Sequence, residues 1–169
     1  MRRDIQLVVG SSLLLVVGAL AACGQGTTSE SLVLERSIGS VHLKEPRTQI
    51  EHDLGKGRLV SSKLDRSARP EPVREEKVAY DRQHLVVYYI SSKHHAAIAY
   101  VVATTSSRYR TKSGVGVGAS LAKLKKLGGV ECYGTHCQHF QGHNKPGTAF
   151  RMTAPNGQVA QILVIVSVD

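Results

Sequence analysis

Lys77-Val78-Ala79-Tyr80, His84-Leu85-Val86-Val87-Tyr88-Tyr89-Ile90 and Ala96-Ala97-Ile98-Ala99-Tyr100-Val101-Val102-Ala103-Thr104 follow one another closely in this 169-residue chain. All three runs are rich in Val, Ile, Tyr and Thr, side chains that suit a pleated surface. Only Asp81–Gln83 and Ser91–His95 separate them, which is too short for a crossover and predicts an antiparallel meander. Upstream, Ser37–Leu43 reads as a short strand. Pro46 then suits the first turn of a helix carrying Ile50 and Leu54 on one face, with Gly55 and Gly57 as the stop. Between them and the meander, residues 56–77 are charged and include Pro70 and Pro72, and read as a loop.

Downstream the same plan is expected again. Gly114–Gly118 is short and extended, Ser120 caps a helix carrying Leu121, Leu124 and Leu127, and Gly128-Gly129 ends it. Val130–Tyr133, Thr148–Met152 and Gln158–Val168 are strand-like, with a hairpin turn at Asn156-Gly157. Ile38-Gly39-Ser40-Val41 and Val115-Gly116-Val117-Gly118 open the two units, and Ile50 corresponds to Leu124. The expected fold class is therefore α+β: two helix-plus-antiparallel-meander repeats, 37–107 and 108–169, with the helices packed on one face of the sheet. One face of the last hairpin carries Phe150, Met152, Ile162 and Val164, yet Leu163 and Ile165 make the other face apolar too. A layer from the second repeat or the long loop is the expected cover, and an exposed binding surface is the alternative.

The first residues supply an address. Met1-Arg2-Arg3 is basic, the run from Ile5 is apolar and uncharged, and it closes on Leu20-Ala21-Ala22-Cys23. This order is that of a bacterial lipoprotein signal, with residues 1–22 removed and Cys23 acylated. The competing reading is a single membrane-spanning anchor over Ile5–Ala22. Residues 23–36, opening with the small, polar Gly24–Ser31, read as a flexible tether. The expected location is the cell membrane or outer membrane, facing an extracytoplasmic compartment. Loss of residues 1–22 changes the formal charge from +9 to +8. That balance favours anionic headgroups, acidic wall polymers or an acidic protein partner. Nucleic acid is excluded as an expected partner, since no binding motif is present.

Gly39-x-x-x-Leu43 followed by Gln49-Ile50-x-x-x-Leu54-Gly55-Lys56-Gly57 resembles the "GMT-x-x-x-V-x-x-x-LG-x-P" signature of small envelope lipoproteins of the SmpA/OmlA (BamE-like) group. Gly118-Ala119-Ser120 with Leu124 is the second copy of that start. The first copy has Lys44-Glu45-Pro46 where Gly-Met-Thr would stand. The pattern is also similar to the tandem repeats typified by beta-lactamase inhibitory protein. The resemblance implies a non-enzymatic binding or assembly role through the sheet and its loops, with no cofactor. Unlike that inhibitor's aromatic and acidic platform, this chain is basic and has no Trp. Its candidate partner-binding residues are Tyr88, Tyr100, Arg108, Tyr109 and Arg110.

Three further constellations carry chemistry by type. Ser120-x-x-Lys123 matches an acylating motif, but a helix N-cap explains Ser120 more simply, and no catalytic residue is assigned. Gly114-x-Gly116-x-Gly118 lacks the Lys of a phosphate loop. Cys132, His136, Cys137, His139 and His143 lie within twelve positions. In an oxidising compartment Cys132 and Cys137 are expected to form a disulfide. The alternative is an envelope metal-binding protein using the Cys/His-rich segment 132–143, with His136, His139 and His143 as ligands.

Overall fold

The computed structural model describes residues 30–68, 70–140, 142 and 145–166. The expected signal peptide, the acylated Cys23 and the first part of the tether lie outside the described residues. Among those residues no helix is long and apolar enough to cross a membrane.

In chain order the elements are β1 (Glu30–Val33), β2 (Ser37–Ile38), β3 (Val41–His42), α1 (Arg47–Leu54), β4 (Arg58–Asp65), β5 (Val73–Tyr80), β6 (Leu85–Ser92) and β7 (Ile98–Thr104). Then come β8 (Tyr109–Arg110), α2 (Leu121–Lys125), β9 (Val130–Tyr133), β10 (His136–Phe140), β11 (Gly147–Met152) and β12 (Val159–Ile165). Eight strands form one antiparallel sheet in the order β4-β5-β6-β7-β12-β11-β10-β9, and β3-β2-β1-β8 form a second, small sheet.

This architecture corrects the expected α+β fold of two helix-plus-meander repeats. The protein is mostly β, and its two α-helices have eight and five residues. Helices that short hold one buried side chain each, Ile50 in α1 and Leu124 in α2, so they do not form a layer of their own. Nor are 37–107 and 108–169 separate units. β7 pairs with β12 in the large sheet, and β1 pairs with β8 in the small one. Residues 30–33, read as part of the 23–36 tether, are strand β1, with Leu32 buried.

The expected loop 56–77 is also corrected, because it holds β4 and the first half of β5. β4 is an edge strand exposed along nearly its whole length, so it needs no alternation of apolar and polar residues and shows none. The expected meander does form, as β5, β6 and β7 in register, Val78 opposite Val87 and Val87 opposite Val102. Where turns were expected the backbone takes the conformation they require: Asn156 has φ 64° and Gly55, after α1, φ 82°. Ser120 caps α2 by accepting a hydrogen bond from the Lys123 amide at 3.3 Å.

Register separates the two faces of the large sheet. On the inner face Val78, Val87, Val102 and Val164 form one row across the strands, and Leu85, Thr104, Ile162, Phe150 and Cys137 the next. These apolar side chains share one core with Leu32, Ile38, Val41 and Tyr109 of the small sheet and with Ile50 and Leu124. The small sheet and both helices therefore lie on the inner face. A polar network closes that core beside α1. The Tyr80 and Tyr89 hydroxyls meet at 2.6 Å, and the Arg47 guanidinium lies 5.4 Å from the Tyr89 ring centroid while bonding Glu51 at 2.7 Å and Glu76 at 2.6 Å.

Candidate functional site on the outer sheet face

Alternation along the strands sends every second side chain to the other face. There Ala79, Val86, Ala103, Leu163 and Ala149 form one cross-strand row, and Lys77, Tyr88, Val101, Ile165, Gly147 and Phe140 the next. None of these residues joins the inner core. Ala79, Val101 and Ala103 are buried, whereas Val86, Tyr88, Leu163 and Ile165 remain partly open. The expected cover from a second repeat or from residues 56–77 is absent among the described residues, and the face is left partly open, with Phe140 exposed at one end.

The centre of this face is aromatic. A bulge in the β6–β7 register between Tyr88 and Tyr89 leaves Tyr100 without a direct cross-strand partner. Its ring meets that of Tyr88 edge-on, with centroids 6.3 Å apart and planes at 74°. The Lys77 ammonium stands 5.5 Å from the Tyr88 centroid. Burial, with Glu75 and Tyr88 adding to it, raises the Tyr100 phenol above the ordinary value, so it stays neutral and able to donate. At one end, Val73, Ile90, Ala96 and Ile98, with His95 at the rim, line a dent of ≈ 190 Å³. At the other, the Phe140 ring lies across Gly147, where a β-carbon would sit 2.0 Å from it. Phe140 is 48% exposed. Charged and polar residues border the stripe at both edges: Arg58, Lys63 and Glu75 on one side, Glu131, His136 and Arg151 on the other. An apolar, aromatic centre inside a polar rim is the anatomy of a protein-binding surface.

The five candidate partner-binding residues do not share one surface. Tyr88 and Tyr100 come together on the outer face. Tyr109 is a core residue with no exposed surface, and its hydroxyl donates to the Gln83 carbonyl at 2.6 Å. Arg108 binds Glu30 at 2.6 Å, and Arg110 donates to the Gly114 carbonyl at 3.2 Å. Both hold local structure, where a partner-binding role was expected. Val86 and Phe140 were missed as parts of this face, whereas Leu163 and Ile165 were expected to make it apolar, with an exposed binding surface as the alternative to cover. The signal was present in β12, whose consecutive Ile162, Leu163, Val164 and Ile165 leave no polar face.

Cys132 and Cys137 are disulfide-bonded and stand directly opposite each other in the β9–β10 hairpin. The metal alternative loses its ligand set. His136 pairs with the outer-face Arg151, while His139 lies on the inner face, bound to Glu35 at 2.6 Å. His143 lies outside the described residues. Among those residues no three His, Cys, Asp or Glu side chains are grouped to hold a metal ion.

The acylating-motif residues Ser120 and Lys123 meet only through the cap, and Gly116 serves packing, since a β-carbon there would meet the Tyr109 carbonyl at 2.4 Å. A Ser–acid–His grouping lies in a cleft of ≈ 540 Å³ beside β4. There Ser92 donates to Glu71, whose other oxygen is 3.9 Å from His94 Nε2. The carboxylate sits between the other two, so the hydroxyl has no imidazole to take its proton.

No family model and no curated protein matches this chain. Among solved structures it is similar to the crystal structure of the uncharacterized protein yfeY from Escherichia coli. The match has 16% identity and a TM-score of 0.46, covering 82% of this chain and 99% of the other.

Proposed function

We propose that this protein is a lipid-anchored component of the bacterial cell envelope, held at the membrane through Cys23, that acts by binding another protein and not by catalysis. The observation that carries this reading is the outer face of the large sheet. It presents a continuous apolar stripe from Ile90 and Ile98 through Tyr88, Tyr100, Leu163 and Ile165 to Phe140, with no described element over it. Burying such a stripe favours association by roughly 25 cal/mol per Å² of apolar surface, and Tyr contributes area at small entropic cost. The Lys77 ammonium beside Tyr88 and the chain's basic balance suit a partner with acidic groups near its own apolar patch. The lipoprotein-type signal that ends at Cys23 agrees with this placement.

The test is affinity purification of the full-length protein from membranes, with wild type and a Tyr88→Ala/Tyr100→Ala variant side by side. Both side chains are partly open, so the variant should keep its circular dichroism spectrum and lose the partner. A partner retained in full by the folded variant would remove the outer face from the proposal. Fatty-acid labelling that is present in wild type and lost in Cys23→Ala tests the anchor separately.

A further inference from the structure

Acidic residues are unevenly placed along this chain, and none lies between Asp81 and Glu131. Within that interval Arg108, Arg110, Lys112, Lys123, Lys125 and Lys126 follow one another closely. The fold gathers them. Arg110 donates to the Gly114 carbonyl at 3.2 Å, and a β-carbon on Gly114 would lie 3.1 Å from Lys123 Nζ. Lys112 is exposed beside that contact. Lys125 and Lys126 are exposed at the end of α2, whose Leu124 is buried in the core. A helix rises only about 1.5 Å per residue, so both stand within about 5 Å of Lys123 along its axis. Glu30 pairs with Arg108. Among the described residues no carboxylate makes an ion pair with the other five, so their charge is unbalanced.

The anchor decides what this surface meets. β8 pairs with β1, setting Arg110 opposite Ser31, and the Glu30 amide donates to the Arg108 carbonyl at 2.9 Å. The chain therefore leaves towards Cys23 from the border of the basic surface. Residues 23–29 join the acylated thiol to Glu30, and a stretch of that length spans at most ~25 Å. Such a short link holds the surface close to the bilayer, where even weak attraction is enough to bring the two together.

We propose that Arg110, Lys112 and the lysines of α2 and its C-cap dock on anionic phospholipid headgroups and lay the domain against the membrane. Each Lys or Arg beside an anionic surface gains about a fivefold preference for it. The small sheet and both helices lie on the inner face of the large sheet. Docking through β8 and α2 thus turns the outer face away from the bilayer, where a partner can reach it. This inference rests on the Cys23 anchor proposed above and not on what the outer face binds.

The experiment places the full chain, as processed in its membrane, in vesicles of phosphatidylcholine alone or with added phosphatidylglycerol. A fluorophore on Ser113→Cys, exposed beside Lys112, is read by short-range quenching from spin-labelled headgroups. A fluorophore on Lys93→Cys, exposed at the opposite end of β7 from Arg108, is the control. Quenching at Ser113→Cys should appear with phosphatidylglycerol and fade in ~1 M salt, where charges are screened within about 3 Å. The Lys93→Cys position should stay unquenched throughout. Lys112→Gln/Lys125→Gln/Lys126→Gln should keep its circular dichroism and lower the ratio of docked to lifted domain about 100-fold. Should that variant fail to fold, the lipid and salt dependence of the wild type decides. No quenching at Ser113→Cys with phosphatidylglycerol, equal quenching in both lipids, or equal quenching at both positions would overturn the proposal. Flotation tests the anchor separately. A chain that does not float with phosphatidylcholine vesicles refutes acylation at Cys23. Its flotation with phosphatidylglycerol vesicles at low salt then tests the surface alone, binding supporting the proposal and its absence overturning it.

Discussion

Ile162 and Leu163 are neighbours in β12 with similar side-chain volumes, and the structure places them on opposite faces of the sheet. Ile162 has no exposed surface and sits between Thr104 and Phe150, both buried. With such neighbours the site cannot collapse, so Ile162→Ala should lose about 3–4 kcal/mol, the transfer free energy plus the cavity. Leu163 lies in the partly open outer row between Ala103 and Ala149, two small residues that cover little of it. Truncating it opens a dent to solvent instead of a sealed void, so Leu163→Ala should lose only about 1 kcal/mol. Urea unfolding of the two variants and wild type, followed by far-ultraviolet circular dichroism, separates these values. With a typical slope of about 2 kcal/mol per M, the two midpoints should differ by roughly 1 M. Equal losses from both truncations would mean that a layer covers the outer face, and the docking surface would fall with that result.

Three other perturbations have defined outcomes. Cys132→Ser/Cys137→Ser opens a loop with a sequence separation of 5, and the chain-entropy cost for a loop that small is about 2 kcal/mol, a fall of roughly 4–8 °C in Tm by calorimetry. The Tyr80 and Tyr89 hydroxyls are each other's buried partner. Tyr89→Phe should therefore cost about 1–2 kcal/mol, and Tyr80→Phe/Tyr89→Phe scarcely more, because the double change leaves no orphaned hydroxyl; additive losses in denaturant titrations would contradict the pairing. Burial holds the phenols of Tyr80, Tyr89 and Tyr109 above their ordinary 10.0. The unfolded chain then releases those protons first, so the stability they contribute is complete below about pH 10 and falls as pH rises beyond it. Tyrosinate absorbance should rise in two stages, the second coincident with unfolding; a single rise in the folded protein would refute this.

Much of the strand content was legible because β6, β7, β12 and the second half of β5 are rich in Val, Ile, Leu, Ala and Tyr, and such residues reveal themselves by type. The edge strand β4 was not. Its Arg, Lys, Ser and Asp satisfy solvent, and only pairing with β5 makes it a strand. β1 and β8 escaped for a related reason. Both are short, and the parallel pairing between them joins residues some eighty positions apart, which no local pattern encodes. The architecture followed from those omissions, since sequence-local units hid the β7–β12 and β1–β8 pairings that merge them. For the site, aromatic type was a fair guide to Tyr88 and Tyr100, but type alone could not separate them from Tyr109. All three are tyrosines, and only register assigns Tyr88 to the outer face while Tyr109 closes the core against Gly39, where a β-carbon would lie 2.9 Å from its ring.

The account rests on the outer face of the large sheet being a docking surface. Its most direct test is a scan with a photoreactive phenylalanine analogue in living cells, at Tyr88, Leu163 and Phe140 on that face and at Ser113 and Lys123 on the opposite side of the molecule. The account predicts one shared cross-linked protein from the three outer-face positions and none from the other two. Cross-links to that protein from Ser113 or Lys123 alone, or none from Tyr88, Leu163 and Phe140 in correctly folded variants, would contradict it.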